Sequence, residues 1–184
     1  IWSGVDYLGE AEWPSKGWPN GLFDICMNEK PRAAFLRAMW KDEPMVRVAV
    51  MDQSLDIDHG RDLWQWPRMA ARWNFPWQYE GLVMEVRTIT NCERVRLYCN
   101  GKQMGEQQTE KFPNHTIVWN IPYIPGTIEA IGYNGDKEMA RYKLTTSKNT
   151  AKANVSADRT TIKADGQDVS FISIQLEDKD GNTM

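Results

Sequence analysis

Between Met45 and Thr145 several short stretches of this chain repeat apolar residues at every second position, a period that fits half-buried strands rather than helices. Val46, Val48 and Val50 alternate with Arg47 and Ala49, and Leu82, Met84 and Val86 form one face while Glu85 and Arg87 form the other. Val95, Leu97 and Cys99 lead into Asn100-Gly101. An Asn-Gly pair between alternating runs predicts a type I′ hairpin, whose two central residues both need positive φ. Further strands are expected at 115–121, 127–133 and 138–145, with Asn134-Gly135 as a second hairpin turn. Roughly seven short strands in about 100 residues predict an immunoglobulin-like β-sandwich over residues 45–146.

The chain before Met45 has a different texture. Ile1-Trp2-Ser3-Gly4-Val5-Asp6-Tyr7-Leu8-Gly9-Glu10 reads as a strand, with Gly4 leaving room for a close backbone approach. It ends in carboxylates and an aromatic, as strands do at the mouth of a (β/α)8 barrel. Residues 11–24 form a loop punctuated by Pro and Gly and carrying Trp13 and Trp18. A helix is expected from about Glu29 to Trp40, with Asn28 as its cap and Pro31 in its first turn. Phe35, Ala38 and Met39 make its buried face, and Asp42, Glu43 and Pro44 end it. Beyond the sandwich, residues 147–151 read as a polar linker. Strands are expected at 161–163 and 169–177, the opening of a second immunoglobulin-like unit over 147–184 with too few strands to bury a core alone.

Composition narrows the function classes. Net charge is −3 and the cations are scattered, so there is no footprint for nucleic acid. No apolar run reaches the ~18 residues of a membrane span, so no membrane insertion is expected. Cys26, Cys92 and Cys99 lack metal-ligand spacing and are read as buried free thiols. His59 and His115 are the only histidines, and neither has a partnered nucleophile or ligand, so no metal and no cofactor is expected. Tryptophan is the outlier, with nine residues, eight of them among the first 80 positions. The cluster Trp64, Trp66, Trp73, Phe75, Trp77 and Tyr79 fits either a carbohydrate-binding face or sandwich core with an interface to a neighbouring domain.

The opening ten residues resemble the last barrel strand of glycoside hydrolase family 2, which typically reads Trp-Thr/Ser-Gly-Phe-Asp-Tyr-Leu-Gly-Glu. Lys30-Pro31-Arg32-Ala33-Ala34-Phe35 is similar to the start of that family's last barrel helix. Arg72-Trp73-Asn74-Phe75-Pro76, the Asn100-Gly101-Lys102 hairpin and the Pro125-Gly126 turn resemble the small sandwich that follows the barrel in many family 2 galactosidases. The resemblance implies an internal piece of a retaining exo-glycosidase, β-galactosidase-like, with residues 1–44 closing the barrel. It also implies a periplasmic or secreted location. In the family the two catalytic glutamates lie on earlier strands, so no catalytic residue is expected here, and the piece alone is expected to be inactive. Trp2 would face the sugar, with Asp6, Glu10, Trp13 and Trp18 as further substrate-binding candidates. Trp18-Pro19-Asn20-Gly21 lacks the Asn-x-Lys of the glucuronidases, which implies a neutral β-glycoside, a galactoside in the first instance. Asn28-Glu29 superficially matches the family's acid/base pair but falls at a helix start, where a capping role is expected. A homodimer is expected if the apolar face of the helix finds no cover on the sandwich. The other reading is a non-catalytic carbohydrate-binding or spacer module.

Overall fold

The computed structural model describes residues 3–9, 17–18, 20–51 and 69–183. Two short strands, β1 (Tyr7–Leu8) and β2 (Gly17–Trp18), precede a helix, α1 (Pro31–Trp40). Then come β3 (Val46–Met51), β4 (Met69–Ala70), β5 (Val83–Thr90), β6 (Arg94–Cys99), β7 (Lys102–Gln108) and β8 (Thr116–Pro122). They are followed by β9 (Thr127–Asn134), β10 (Lys137–Thr145), β11 (Thr150–Ala157) and β12 (Ile172–Asp178). The chain is mainly β, and its sheets are sandwich-like, as the alternation predicts. One antiparallel sheet has the order β4-β3-β5-β8 and the other β10-β9-β6-β7, so the chain changes sheets after β5, β7 and β8.

The alternation explains the packing. Val46, Val48, Val50, Met84, Val86, Ile117, Trp119 and Ile121 of the first sheet meet Val95, Leu97, Cys99, Ile128 and Ala130 of the second in one buried cluster. Thr88 and Thr90 are also fully buried, which is tolerable because their hydroxyls are used. Thr88 Oγ1 accepts the Trp119 indole N–H at 3.0 Å, and Thr90 Oγ1 donates to the Met45 carbonyl. The opposite face of β3 and β5 is covered as well: Ala49 and Ile89 pack with Ala34 and Ala38 of α1 and with Met69.

Helix α1 begins at Pro31, and its N-cap residue is Lys30, which makes no side-chain capping bond. The expected cap, Asn28, donates instead to Asp24 Oδ2 at 2.9 Å, so Pro31 alone supplies the start signal. The buried face is Ala33, Ala34 and Ala38, while Met39 is 45% exposed and Phe35 only partly buried. Small residues let the helix lie close on the sheet, with Phe35 packed against the same cluster and Met39 left exposed. Asn91 then pins the connection to β3. Its Nδ2 donates to the carbonyls of Lys41 and Glu43, and its Oδ1 accepts from Met45 N–H at 2.8 Å.

Asn100 and Gly101 have φ of 50° and 78°, the type I′ turn expected between β6 and β7. Asn100 does more than turn: its side chain accepts from Thr127 N–H at 2.7 Å and donates to the Pro125 carbonyl at 3.0 Å. The second hairpin sits one residue further on than the Asn134-Gly135 reading. Lys137 pairs with Asn134, leaving Gly135-Asp136 as the loop, and Gly135 alone has positive φ, the pattern of a type II′ turn. Cysteine also differs from expectation. Cys92 and Cys99 are buried and burial pushes both thiols up, but Cys26 is exposed. A water-soluble thiol reagent at neutral pH is expected to label Cys26 in the folded protein and the other two only on unfolding.

The last two residues of the segment read as a linker, Thr150 and Ala151, begin a strand, β11. β11 pairs antiparallel with β12, and no strand forms at 161–163. Thr150-Ala151-Lys152-Ala153-Asn154-Val155-Ser156-Ala157 alternates small apolar with polar residues, too weak a contrast to read as a strand. Val155, Ile172, Ile174 and Leu176 are each at least half exposed, so the ribbon presents an apolar face. At the junction to the sandwich, Thr146 N–H donates to the Gly126 carbonyl, Ser147 N–H donates to Asn74 Oδ1 at 2.7 Å, and Asn74 Nδ2 donates to Ser147 Oγ at 3.0 Å.

Asp178 closes the ribbon's end. Its carboxylate accepts from Lys148 N–H, from the Asn182 amide and N–H, and from Asp180 N–H, which together hold it well below the usual carboxylate range. A carboxyl whose folded pKa lies below its unfolded value of about 4 stabilises the fold at neutral pH, and loses that contribution as pH falls through this range. Hydrogen-exchange protection at Lys148, Asp180 and Asn182 is therefore expected to fall between about pH 5 and pH 2. Asp178→Asn should have low protection already at pH 5, with little further change.

Candidate functional site

The candidate site residues come from the chain before α1. There, residues 3–9, 20–24 and 28–32 are knitted into one small unit. The Gly4 carbonyl accepts from both Leu22 and Phe23 N–H at 3.0 Å, and Asp6 N–H donates to the Phe23 carbonyl at 2.8 Å. Lys30 N–H donates to the Leu22 carbonyl, so the start of the helix is tied to the same loop. Val5 and Phe23 form a parallel bridge, and Phe23 and Glu29 an antiparallel one.

The close backbone approach expected at Gly4 occurs at Gly21 instead. A Cβ at Gly4 would meet nothing within 4 Å, whereas one at Gly21 would stand 2.3 Å from Asp6 N and 2.4 Å from the Val5 carbonyl carbon. Glycine is required at 21 because backbone crosses backbone there. This crossing sets the position of Asp6. Its Oδ1 accepts from Gly21 N–H at 2.7 Å, and both carboxylate oxygens face Lys30 Nζ, at 2.9 and 3.0 Å. The Asn20 carbonyl accepts from Arg32 at 3.0 Å, and Asn20 itself is buried.

Of the five substrate-binding candidates, Asp6 is described in full. For Trp18 the backbone is described: it pairs with Tyr7, the neighbour of Asp6, in the β1–β2 ladder. The two are thereby brought to one place in the fold. Trp2, Glu10 and Trp13 lie outside the described residues. Glu29, expected as an acid in the first turn, stands two residues before the helix instead. Its Oε2 accepts from Arg37 at 2.9 Å and faces Arg47 at 3.7 Å, while its Oε1 is buried beside a cavity of about 70 Å³ with room for water. In the aromatic cluster Trp73 is buried, Phe75 and Tyr79 pack against the core, Trp77 is exposed, and Trp64 and Trp66 lie outside the described residues. Among the described residues no group of three His, Cys, Asp or Glu side chains is placed to hold a metal, and no helix is long and apolar enough to cross a membrane.

Sequence reasoning missed the Asp6–Lys30 pair and the obligatory Gly21. The pair is separated by 24 positions and has no spacing signature. Gly21 carried a signal of a kind, standing at the junction of an irregular loop and an apolar run.

Residues 81–140 match a family described only as a domain of unknown function, DUF4982. The chain superposes over its full length on a glycosyl hydrolase family 2 member from Bacteroides cellulosilyticus, at TM-score 0.86 and 32% identity, covering 23% of that chain. The chain is homologous to glycoside hydrolase family 2 proteins. A second family 2 relative, the β-galactosidase BoGH2A of Bacteroides ovatus, is 24% identical over 99% of this chain and 19% of its own length. A β-glucuronidase of Formosa agariphila is 28% identical over 82% of this chain and 13% of its own. A β-glycosidase structure from Bacteroides vulgatus matches 98% of this chain and 20% of its own at TM-score 0.78 and 27% identity. The chain thus spans less than a fifth of the length of these two curated relatives. The family 2 match includes residues 1–44 as well as the sandwich, since the superposition on the Bacteroides cellulosilyticus protein covers 100% of the chain.

Proposed function

We propose that this chain is part of a retaining exo-glycosidase of family 2 acting on a neutral β-glycoside, a galactoside in the first instance. In this reading residues 1–44 end a (β/α)8 barrel and supply one wall of the sugar site. Residues 45–146 form an accessory sandwich, and residues 147–184 open a second one. The observation that carries it is the full-length match to a family 2 protein at 32% identity, because a generic sandwich has no reason to match over the opening 44 residues as well.

The chemistry of the opening unit fits a supporting role. Hydrolysis with retention needs two carboxylates about 5–5.5 Å apart, one to protonate the leaving oxygen and one to attack. Asp6 faces an ammonium and Glu29 faces two guanidiniums, so each is engaged with cations rather than with a second carboxylate. In keeping with the family resemblance, both catalytic carboxylates are assigned outside this chain. Trp2 would lend a flat apolar face to the sugar C–H groups, with Trp13 and Trp18 nearby. The galactoside choice is supported by the run Trp18-Pro19-Asn20-Gly21, which has no Asn-x-Lys and so offers no ammonium to a uronate.

The test is hydrolysis of nitrophenyl β-galactoside and β-glucuronide by the full-length protein and by the 184-residue piece. Turnover of the galactoside by the full-length protein and of neither substrate by the piece is expected. Preference for the glucuronide would overturn the neutral-sugar reading, and no turnover by the full-length protein would leave a binding or spacer module.

A further inference from the structure

Lys30 is the last residue before α1, and its backbone is extended, with φ −89° and ψ 156°. In an extended chain successive side chains point to opposite sides. Glu29 and Lys30 accordingly part company. Lys30 reaches back to the Asp6 carboxylate and straddles both oxygens at 2.9 and 3.0 Å. Glu29 reaches toward the sandwich, where Arg47 of β3 lies 3.7 Å from its Oε2 and Arg37 donates to the same oxygen. Arg47 is itself seated over the ring of Tyr142 in β10, with 4.5 Å to the centroid. Both ion pairs are partly shielded, with the Asp6 side chain 14% and the Glu29 side chain 22% exposed, so they act in a medium that screens them less than bulk water does.

We propose that Lys30 is a positioning residue for the sugar wall, its ammonium fixing Asp6 and with it the strand 3–9 against the loop at Gly21, while Glu29 fastens the same short segment to the sandwich. The inference rests on reading the opening unit as part of a sugar site. Among the described residues Asp6 has one other ligand, the Gly21 N–H, and that single bond does not set the carboxylate's orientation. The Lys30 ammonium, donating to both oxygens, holds it. Tyr7, next in the chain, pairs with Trp18, so a shift of Asp6 is passed to both strands of the β1–β2 ladder. The sandwich becomes the fixed platform from which the wall is held, through Arg47, Glu29 and Lys30 in turn.

The experiment compares wild type, Lys30→Met, Lys30→Arg, and Lys30→Met in an Asp6→Asn background, all in the full-length protein. Steady-state kinetics on nitrophenyl β-glycosides are measured beside thermal unfolding. Lys30→Met is expected to raise KM about five- to tenfold with kcat changed less than about twofold, because a displaced wall weakens binding of ground and transition states alike. Lys30→Arg keeps a cation within reach and is expected to return KM to within about twofold of wild type. In the Asp6→Asn background the Lys30 substitution should add nothing further. An active wild type whose KM is indifferent to Lys30→Met overturns the inference alone, as does a KM that Lys30→Arg fails to restore. A wild type that turns over no glycoside overturns the functional reading and this inference with it.

Discussion

Trp73→Ala is expected to lower the stability of the sandwich by ~3–5 kcal/mol, the range for removing a large aromatic side chain from a packed core. Trp73 is 1% exposed although it belongs to no strand. Its ring meets Tyr123 edge-on at 5.0 Å and Phe75 at 6.2 Å, and its indole N–H donates to the Ile124 carbonyl at 3.0 Å. Alanine would leave both a cavity and an unpaired carbonyl. Chemical denaturation followed by the remaining tryptophan fluorescence reads the effect. Trp77→Ala serves as the control: that side chain is 79% exposed, and its loss should change stability by less than about 0.5 kcal/mol. If the two variants unfold alike, Trp73 is not the anchor of the segment before β5.

Gly21→Ala is expected to disrupt the opening unit while leaving the sandwich folded. The new Cβ would fall on the backbone of Val5 and Asp6, and backbone cannot rotate aside as a side chain can. Relief requires separating the two segments. That puts at risk four hydrogen bonds: Leu22 and Phe23 to Gly4, Asp6 to Phe23, and Gly21 to the Asp6 carboxylate. At about 0.5–1.5 kcal/mol each the local loss is ~2–6 kcal/mol. Hydrogen exchange by mass spectrometry should show residues 3–9 and 20–24 deprotected and β5, β6 and β9 unchanged. Wild-type protection across 3–9 in the variant would mean that the crossing relaxes without cost.

These expectations rest on features that the sequence disclosed unevenly. The sandwich was legible because β5, β6 and β8 alternate large apolar with polar residues, and because Asn100-Gly101 is among the few pairs that suit two consecutive positive φ values. The helix was legible in place but not in orientation. Periodicity favours the large residues Phe35 and Met39, while close contact with a sheet favours Ala34 and Ala38, and contact decided. β11 was hidden because alanine and serine differ too little in hydropathy to display a face. At the candidate site the residue types were readable, but what holds them was not. The Asp6–Lys30 pair joins positions 24 apart, and the need for glycine at 21 comes from another segment's backbone. No local pattern encodes either. Sequence alone placed Asn28 and Glu29 at a helix start, yet could not tell a cap from an ion-pair partner, because that depends on Arg37 and Arg47 arriving from other elements.

The junction between the sandwich and the ribbon bears on the course of the chain beyond β10. Thr146, Ser147 and Lys148 are each bonded through the backbone, to Gly126, Asn74 and Asp178 respectively. A flexible tether would let the two parts swing independently. Here the bonds at Thr146 and Ser147 tie the first two residues after β10 back to the sandwich, while that at Lys148 ties the chain to the ribbon. The direction in which the chain leaves β10 is thereby set by the sandwich itself, at Gly126 and Asn74.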